Sequence, residues 1–352
     1  MSINESLLST ICETPGAPGH EDLIREKVLQ EIEGLVDEVK VDNVGNIVAI
    51  KNGQSHRKVM ASAHMDEIGF IVTHIDDKGF VRFHTLGGFD PKTLTAQRVI
   101  VHGKKDLLGV MGVKPIHVMK PEERNKMPKI GDYFIDLGLP KEEVEELVEV
   151  GNPITRERDL RRVGHSFTTK SLDNRISVFI LIECLKALKG QEIPYDFYAV
   201  FSVQEEVGLR GAQVAAQHIN PDFAIGLDTT IAFDTPGAPA HEQISQLGKG
   251  PAIKVMDASV ISDRRMVAYM KKTAKEAEIP FQLEILTAGG TDTGALQRFS
   301  KIGAVAGAIS IPTRNLHQVT EMVHEQDIEN SIALLTKVVE NIDQCSEIKS
   351  GF

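Results

Sequence analysis

The sequence predicts an α/β fold interrupted by a β-rich insert, and three observations carry this. Strand-length apolar runs alternate with helical stripes near the start of the chain and again beyond about Gly164, the texture of a layered α/β domain. Between about Glu67 and His165 that texture gives way to short alternating strands punctuated by Gly87-Gly88 and Pro91, the spacing of a small barrel or sandwich. The length, 352 residues, exceeds what one ordinary core holds. Residues 1–66 with 166–352 are expected to form the α/β domain. Residues 67–165 are expected to form a second, smaller one whose ends lie close together.

In chain order, Leu7, Leu8, Ile11 and Cys12 make one helical stripe and Ile24, Val28 and Ile32 the next. Pro15-Gly16-Ala17-Pro18-Gly19 must be the loop between them. Strands are expected at 36–41 and 46–50. Lys58-Val59-Met60-Ala61-Ser62-Ala63 then leads into His64-Met65-Asp66-Glu67-Ile68-Gly69. In the insert, strands read at 71–75, 80–83, 98–102 and 107–113. Residues 119–127 are polar, and 140–149 form a short amphipathic helix with a solvated acidic face. Beyond 164, helices are expected at 176–188, 209–218, 263–278, 293–299 and 325–342. Strands are expected at 196–203, 223–227, 253–256, 281–286 and 304–309.

Composition narrows the class. Hydrophobic residues make up 41% and charged residues 25%, as in soluble globular proteins. No apolar run approaches the ~18 residues of a membrane span. The opening Met1-Ser2-Ile3-Asn4-Glu5 does not read as a signal peptide. Cys12, Cys184 and Cys345 are widely spaced and sit in helical apolar patterns, so they read as core thiols and not as a disulfide framework. A cytoplasmic location is expected. A net charge of -11 argues against nucleic acid as the main partner.

The chemistry centres on Gln204-Glu205-Glu206-Val207-Gly208, which follows the apolar run at 198–203. Adjacent carboxylates repel unless a cation or proton separates them. Alone, the pair would read as a solvated loop. His64, Asp66, Asp173, Asp228 and His317, however, each stand just beyond an apolar run or at a helix start. Taken singly, Asp173 could be an N-cap, Asp228 a turn former and His317 surface decoration. Taken together they sit where strand C-termini of an open α/β sheet converge on a crevice. Such a set supplies ligands for two first-row divalent cations, with one carboxylate bridging and one Glu left over.

These segments, in this order and spacing, resemble the M42 family of metalloaminopeptidases, the glutamyl-aminopeptidase and tetrahedral-aminopeptidase group. The resemblance covers nearly the whole chain and implies a mixed-sheet, zinc-aminopeptidase-like catalytic domain, with the insert as a dimerisation and lid element. It implies Asp173 as bridging ligand, Glu206 and His317 on one metal, and His64 and Asp228 on the other. Asp66 would orient His64, and Glu205 would be the general base. The cofactors implied are two divalent ions, zinc foremost, with cobalt or manganese able to replace it. They would lower the pKa of the water between them and polarise the scissile carbonyl. The resemblance further implies a cis Asp173–Asn174 peptide, short peptides as substrates, and self-association into dimers and a tetrahedral dodecamer.

Gly289-Gly290-Thr291-Asp292 resembles the family's glycine loop beside the substrate and reads equally well as a turn before a helix. Relatives often carry an aromatic residue and a Ser around the last histidine, where this chain has Asn315 and Gln318. That difference bears on the pocket for the N-terminal side chain. A glutamyl preference would need a cation there, which Arg210, Arg264, Arg314 or Lys249 could supply. Two rival readings are an M20-like carboxypeptidase or deacylase and a non-catalytic assembly protein. A glycosidase is disfavoured, since the chain has no Trp and only four Tyr to stack on sugars.

Overall fold

A computed structural model describes residues 3–345; Met1 and Ser2 of the opening segment lie outside that range. Helices α1 (Glu5–Glu13) and α2 (Asp22–Ile32) precede strands β1 (Glu38–Val41), β2 (Ile47–Lys51) and β3 (Ser55–His64). The strands β4 (Gly69–Ile75), β5 (Val81–Leu86), β6 (Arg98–His102), β7 (Asp106–Gly112), β8 (Phe134–Asp136) and β9 (Pro153–Arg156) follow. Between β7 and β8 lies α3 (Pro121–Arg124), and between β8 and β9 lies α4 (Lys141–Leu147). Then come β10 (Arg161–Val163), β11 (Ser166–Thr169), α5 (Leu172–Leu188), β12 (Tyr195–Ser202), α6 (Arg210–Ile219) and β13 (Phe223–Ile231). The chain closes with β14 (Ala252–Met256), α7 (Arg264–Glu276), β15 (Gln282–Ile285), α8 (Asp292–Phe299), β16 (Val305–Thr313), β17 (Glu321–His324) and α9 (Glu325–Glu340).

The main sheet has eight strands in the order β1-β2-β12-β3-β13-β16-β14-β15. Its centre, β12-β3-β13-β16, is parallel, and β2 and β14 join antiparallel. Alternation along these strands sorts the side chains onto two faces. Val59, Ala61 and Ala63 of β3, with Phe197, Ala199 and Phe201 of β12, pack under α1, α2, α5 and α9. Met60, Val200, Ala224 and Ala306 face the other way, against α6 and α8. Among the described residues no helix is long and apolar enough to cross a membrane.

Strands β4-β5-β8-β7-β6-β9 close into a barrel with its own core around Phe70, Val99, Met111 and Ile135. Its first and last strands pair antiparallel, Phe70 against Ile154, so the two connections to the main body leave side by side. The barrel's strands run from Gly69 to Arg156. Strand β10 instead pairs with β11, and β11 with β17, in a separate three-stranded sheet. The boundary read at 165 therefore falls inside a hairpin, because three- and four-residue strands are too short to show alternation. Strands β8, β9, β10, β11 and β17, each of three or four residues, have no counterpart among the expected strands.

Asp228 was expected to end a strand over 223–227, and His317 to follow one over 304–309. Both strands run further. Thr229-Thr230-Ile231 pairs with Ile311-Pro312-Thr313, so β13 and β16 extend each other's ladder and Asp228 lies inside β13, opposite Ser310. Neither extension is alternating apolar sequence, so no periodicity marks it.

Candidate active site

Four adjacent parallel strands deliver most of the site, three of them at or just beyond their carboxyl ends and β13 from within. His64 is the last residue of β3 and pairs in register with Ser202, the last of β12. Glu205 and Glu206 follow three and four residues later, on the loop into α6. Asp228 comes from β13 on the other side of β3, and His317 from the loop after β16. Asp173 enters from below at the start of α5, where Asp173 and Asn174 depart from helical geometry and their peptide is cis, as expected.

The carboxylate of Asp173 faces two ways. Its Oδ1 lies 3.4 Å from His64 Nε2, and its Oδ2 lies 3.1 Å from His317 Nε2. His64 Nε2 is also 3.7 Å from Asp228 Oδ1 and 3.8 Å from Glu205 Oε2, while His317 Nε2 is 3.4 Å from Glu206 Oε1. Ligands bound at ~2 Å around a tetrahedral ion stand about 3.3 Å apart, close to these separations. Glu206 Oε1 is buried without a hydrogen-bond partner. Two sets of three ligand atoms, from His64, Asp173 and Glu206 and from His64, Glu205 and Asp228, each lie within 4.8 Å of one another. The residues present fit divalent metal ions.

Electrostatics leads to the same place. Burial pushes the Glu205 carboxyl well above the usual range, with Asp228, Glu206 and Asp292 adding to the rise against His64. Burial likewise raises Asp228 to about 7. Burial opposes protonation of His64, yet Glu205, Asp173, Asp228 and Asp66 outweigh it and hold the imidazole's pKa well up. His317, against the same opposition, rises to about 12 beside Glu206 and Asp173. Burial alone would raise Asp173 as well, but the two imidazoles bring it below the normal carboxylate range. Without metal, protons must stand in for cations among these crowded acids.

Three further carboxylates hold the ligand-bearing backbone. Asp66 Oδ1 is 3.4 Å from His64 Nδ1, and the two Asp66 oxygens accept from the N–H groups of Glu205 and Glu206 at 3.0 and 3.1 Å. The Asp66 carboxylate thus holds the acidic pair, while His64 Nδ1 lies 3.1 Å from the Asp66 carbonyl oxygen. Glu21 accepts from Gln204 N–H at 3.1 Å, at a residue with φ 55°. Glu321 accepts from Asp173 N–H at 2.9 Å and from His317 N–H at 3.0 Å. Glu21 and Glu321 are 3% and 0% exposed, and sequence reasoning missed both. Glu21 reads as one more helix-end acid, and Glu321 opens a strand too short to signal burial. The barrel reaches the site through Gly88, whose carbonyl lies 2.9 Å from His317 Nδ1.

A sequence model of the family described as M42 glutamyl aminopeptidase matches residues 45–334. The chain belongs to the M42 family. It is 36% identical over 348 residues to lysyl aminopeptidase of Pyrococcus furiosus, a match covering 97% of this chain and 98% of that one. Its fold superposes on the TET aminopeptidase of a marine-sediment Thaumarchaeota archaeon with a TM-score of 0.95, at 36% identity over 97% of this chain and 98% of that one. The Pyrococcus horikoshii TET1 peptidase, which can assemble into a tetrahedron or a large octahedral shell, superposes at 0.86, with 33% identity over 96% and 99% of the two chains. The M20-like reading gives way to this membership.

In this M42 chain the ligand-type residues open onto a cleft of about 540 Å³. Gly289, Gly290 and Thr291 line it. Asp292 does not, contrary to the expectation that it belongs to the substrate loop. As the first residue of α8 it turns beneath the sheet, where Ser62 and Ser202 donate to its carboxylate at 2.7 and 2.5 Å. None of Arg210, Arg264, Arg314 and Lys249 lines the cleft, and Arg314 is engaged with Asp234 at 2.7 Å. The ammonium there is that of Lys254, whose place inside β14 masked it as a core position. Leu316 lines the cleft beside His317, while Asn315 and Gln318 do not.

Proposed function

We propose that this chain is a two-metal aminopeptidase that removes the N-terminal residue from short peptides. The observation that carries the reading is Asp173, whose two oxygens face His64 and His317 separately. Asp173, Glu206 and His317 would hold one ion, and Asp173, His64 and Asp228 the other. Zinc suits this mixed imidazole and carboxylate set, and cobalt or manganese could replace it. When bound, the two ions lower the pKa of the attacking water and polarise the scissile carbonyl.

The remaining work falls to the chain. Glu205, buried beside His64 with its proton affinity raised, takes the proton of the attacking water and returns it to the leaving amine. Asp66 keeps the His64 ring and the Glu205 backbone in one frame. The cleft walls at Gly289, Gly290 and Thr291 orient the peptide. The reading includes residues 67–165 as the element that mediates self-association, to a dimer and onward to a tetrahedral particle as in the TET relative. The buried thiols of Cys12 and Cys184 suit the cytoplasmic location that is part of it.

The test is hydrolysis of leucyl-p-nitroanilide and of its N-acetylated form by protein stripped with chelator and reloaded with zinc or cobalt. Release from the free amine alone, lost on stripping and regained on reloading, is expected. Cleavage of the acetylated substrate, or full activity after stripping, would overturn the reading.

A further inference from the structure

Away from the histidines, the cleft wall carries a built charge cluster. Thr230 stands two residues beyond Asp228 on β13 and so shares its sheet face, about 7 Å further along. Its hydroxyl donates to Glu284 Oε1 at 2.8 Å. The Lys254 ammonium donates to the same oxygen at 2.5 Å and lies 3.2 Å from Asp257 Oδ2. Thr291 Oγ1 donates to that Asp257 oxygen at 3.2 Å. Lys254, Asp257, Thr230 and Thr291 all line the cleft, with Glu284 directly behind them. Lys254, Asp257 and Glu284 are all but fully buried.

One ammonium thus answers two carboxylates, and the cluster carries a net charge of minus one. Its geometry is closed to a further anion. The Lys254 ammonium is held between Glu284 and Asp257, and Glu284 Oε2 is buried with no donor of its own. A carboxylate on the substrate's first side chain would have to displace one of these partners or face uncompensated negative charge. Like-charge contacts of that kind strongly disfavour binding. Leu209, Ile231, Leu286 and Leu316 add aliphatic surface to the same cleft.

We propose that the cleft discriminates against peptides with an acidic N-terminal residue while accepting neutral aliphatic ones, through the pairing of Lys254 with Glu284 and Asp257. The proposal rests on the aminopeptidase reading above. It runs against the glutamyl preference in the family's description.

The experiment compares kcat/KM of the metal-loaded protein for leucyl-, glutamyl- and lysyl-p-nitroanilide, in wild type, Glu284→Gln and Asp257→Asn. For wild type, leucyl should exceed glutamyl by about 100-fold, the scale of a like-charge penalty in a low-dielectric cleft. Glu284→Gln keeps the shape and an acceptor oxygen while releasing Lys254 from one carboxylate. The glutamyl-to-leucyl ratio should then rise about tenfold, with Asp257→Asn as the parallel case should the first variant fail to fold. Comparable wild-type rates on glutamyl and leucyl substrates would overturn the proposal. So would an unchanged ratio in the folded variants. Hydrolysis of none of the three would instead defeat the aminopeptidase reading itself.

Discussion

Glu321 accepts a hydrogen bond from the main-chain N–H of His317 at 3.0 Å. Its other oxygen takes the N–H of Asp173 at 2.9 Å, so one buried carboxylate sets the spacing between two ligand-type residues from different elements. Outer groups of this kind are worth ~10–100-fold in metal affinity. Glu321→Gln puts an NH2 where one of these N–H groups needs an acceptor. Zinc affinity should fall by that factor, read by competition with a chromophoric chelator, with the circular dichroism spectrum unchanged. Wild-type affinity would show that the loop and helix hold their spacing without it.

Metal uptake should expel protons. The surrounding carboxylates raise the pKa of His64 and His317 in the metal-free site, His317 to about 12, and so favour the protonated imidazoles. Ligands must shed their protons to bind. Apparent affinity should therefore rise with pH and weaken as pH falls. Calorimetric titration in two buffers of different ionisation enthalpy should show net proton release near pH 7. Equal heats in both buffers would contradict this.

The barrel's exposed strand β7 shows Leu108 and Val110 at 55% and 52% exposure. Self-association through the insert predicts a mass of at least a dimer in light scattering at micromolar protein, and a lower mass when Leu108 and Val110 are both replaced by Lys. A wild-type monomer would remove the oligomer from the account.

What was legible in the sequence follows from what leaves a pattern. The central strands and their helices were readable because alternation and the helical stripe each mark a buried face. The ligand-type residues were readable because His64 and the Glu205-Glu206 pair abut such runs. Asp228 was found although its strand continues past it, since Thr229-Thr230-Ile231 pairs with β16 without any apolar signature. Glu21, Glu321 and Lys254 were not found. A buried charge is defined by the partners that tertiary structure brings to it, and the decisive ones here are distant in sequence: Gln204 for Glu21, Asp173 for Glu321 and Glu284 for Lys254. Asp292 shows the converse: its place in a loop motif suggested substrate, and two serines on β3 and β12 turned it inward.

The division of labour between Glu205 and Glu206 is the central claim, and paired substitutions test it most directly. Glu205→Gln keeps shape and hydrogen bonding but cannot take a proton at the attacking water. Metal content by elemental analysis should stay near wild type while turnover of leucyl-p-nitroanilide falls by roughly 10²–10⁴. Glu206→Gln should instead lose metal and recover part of its activity when zinc or cobalt is added. Near-normal turnover by purified, metal-loaded Glu205→Gln would contradict the account.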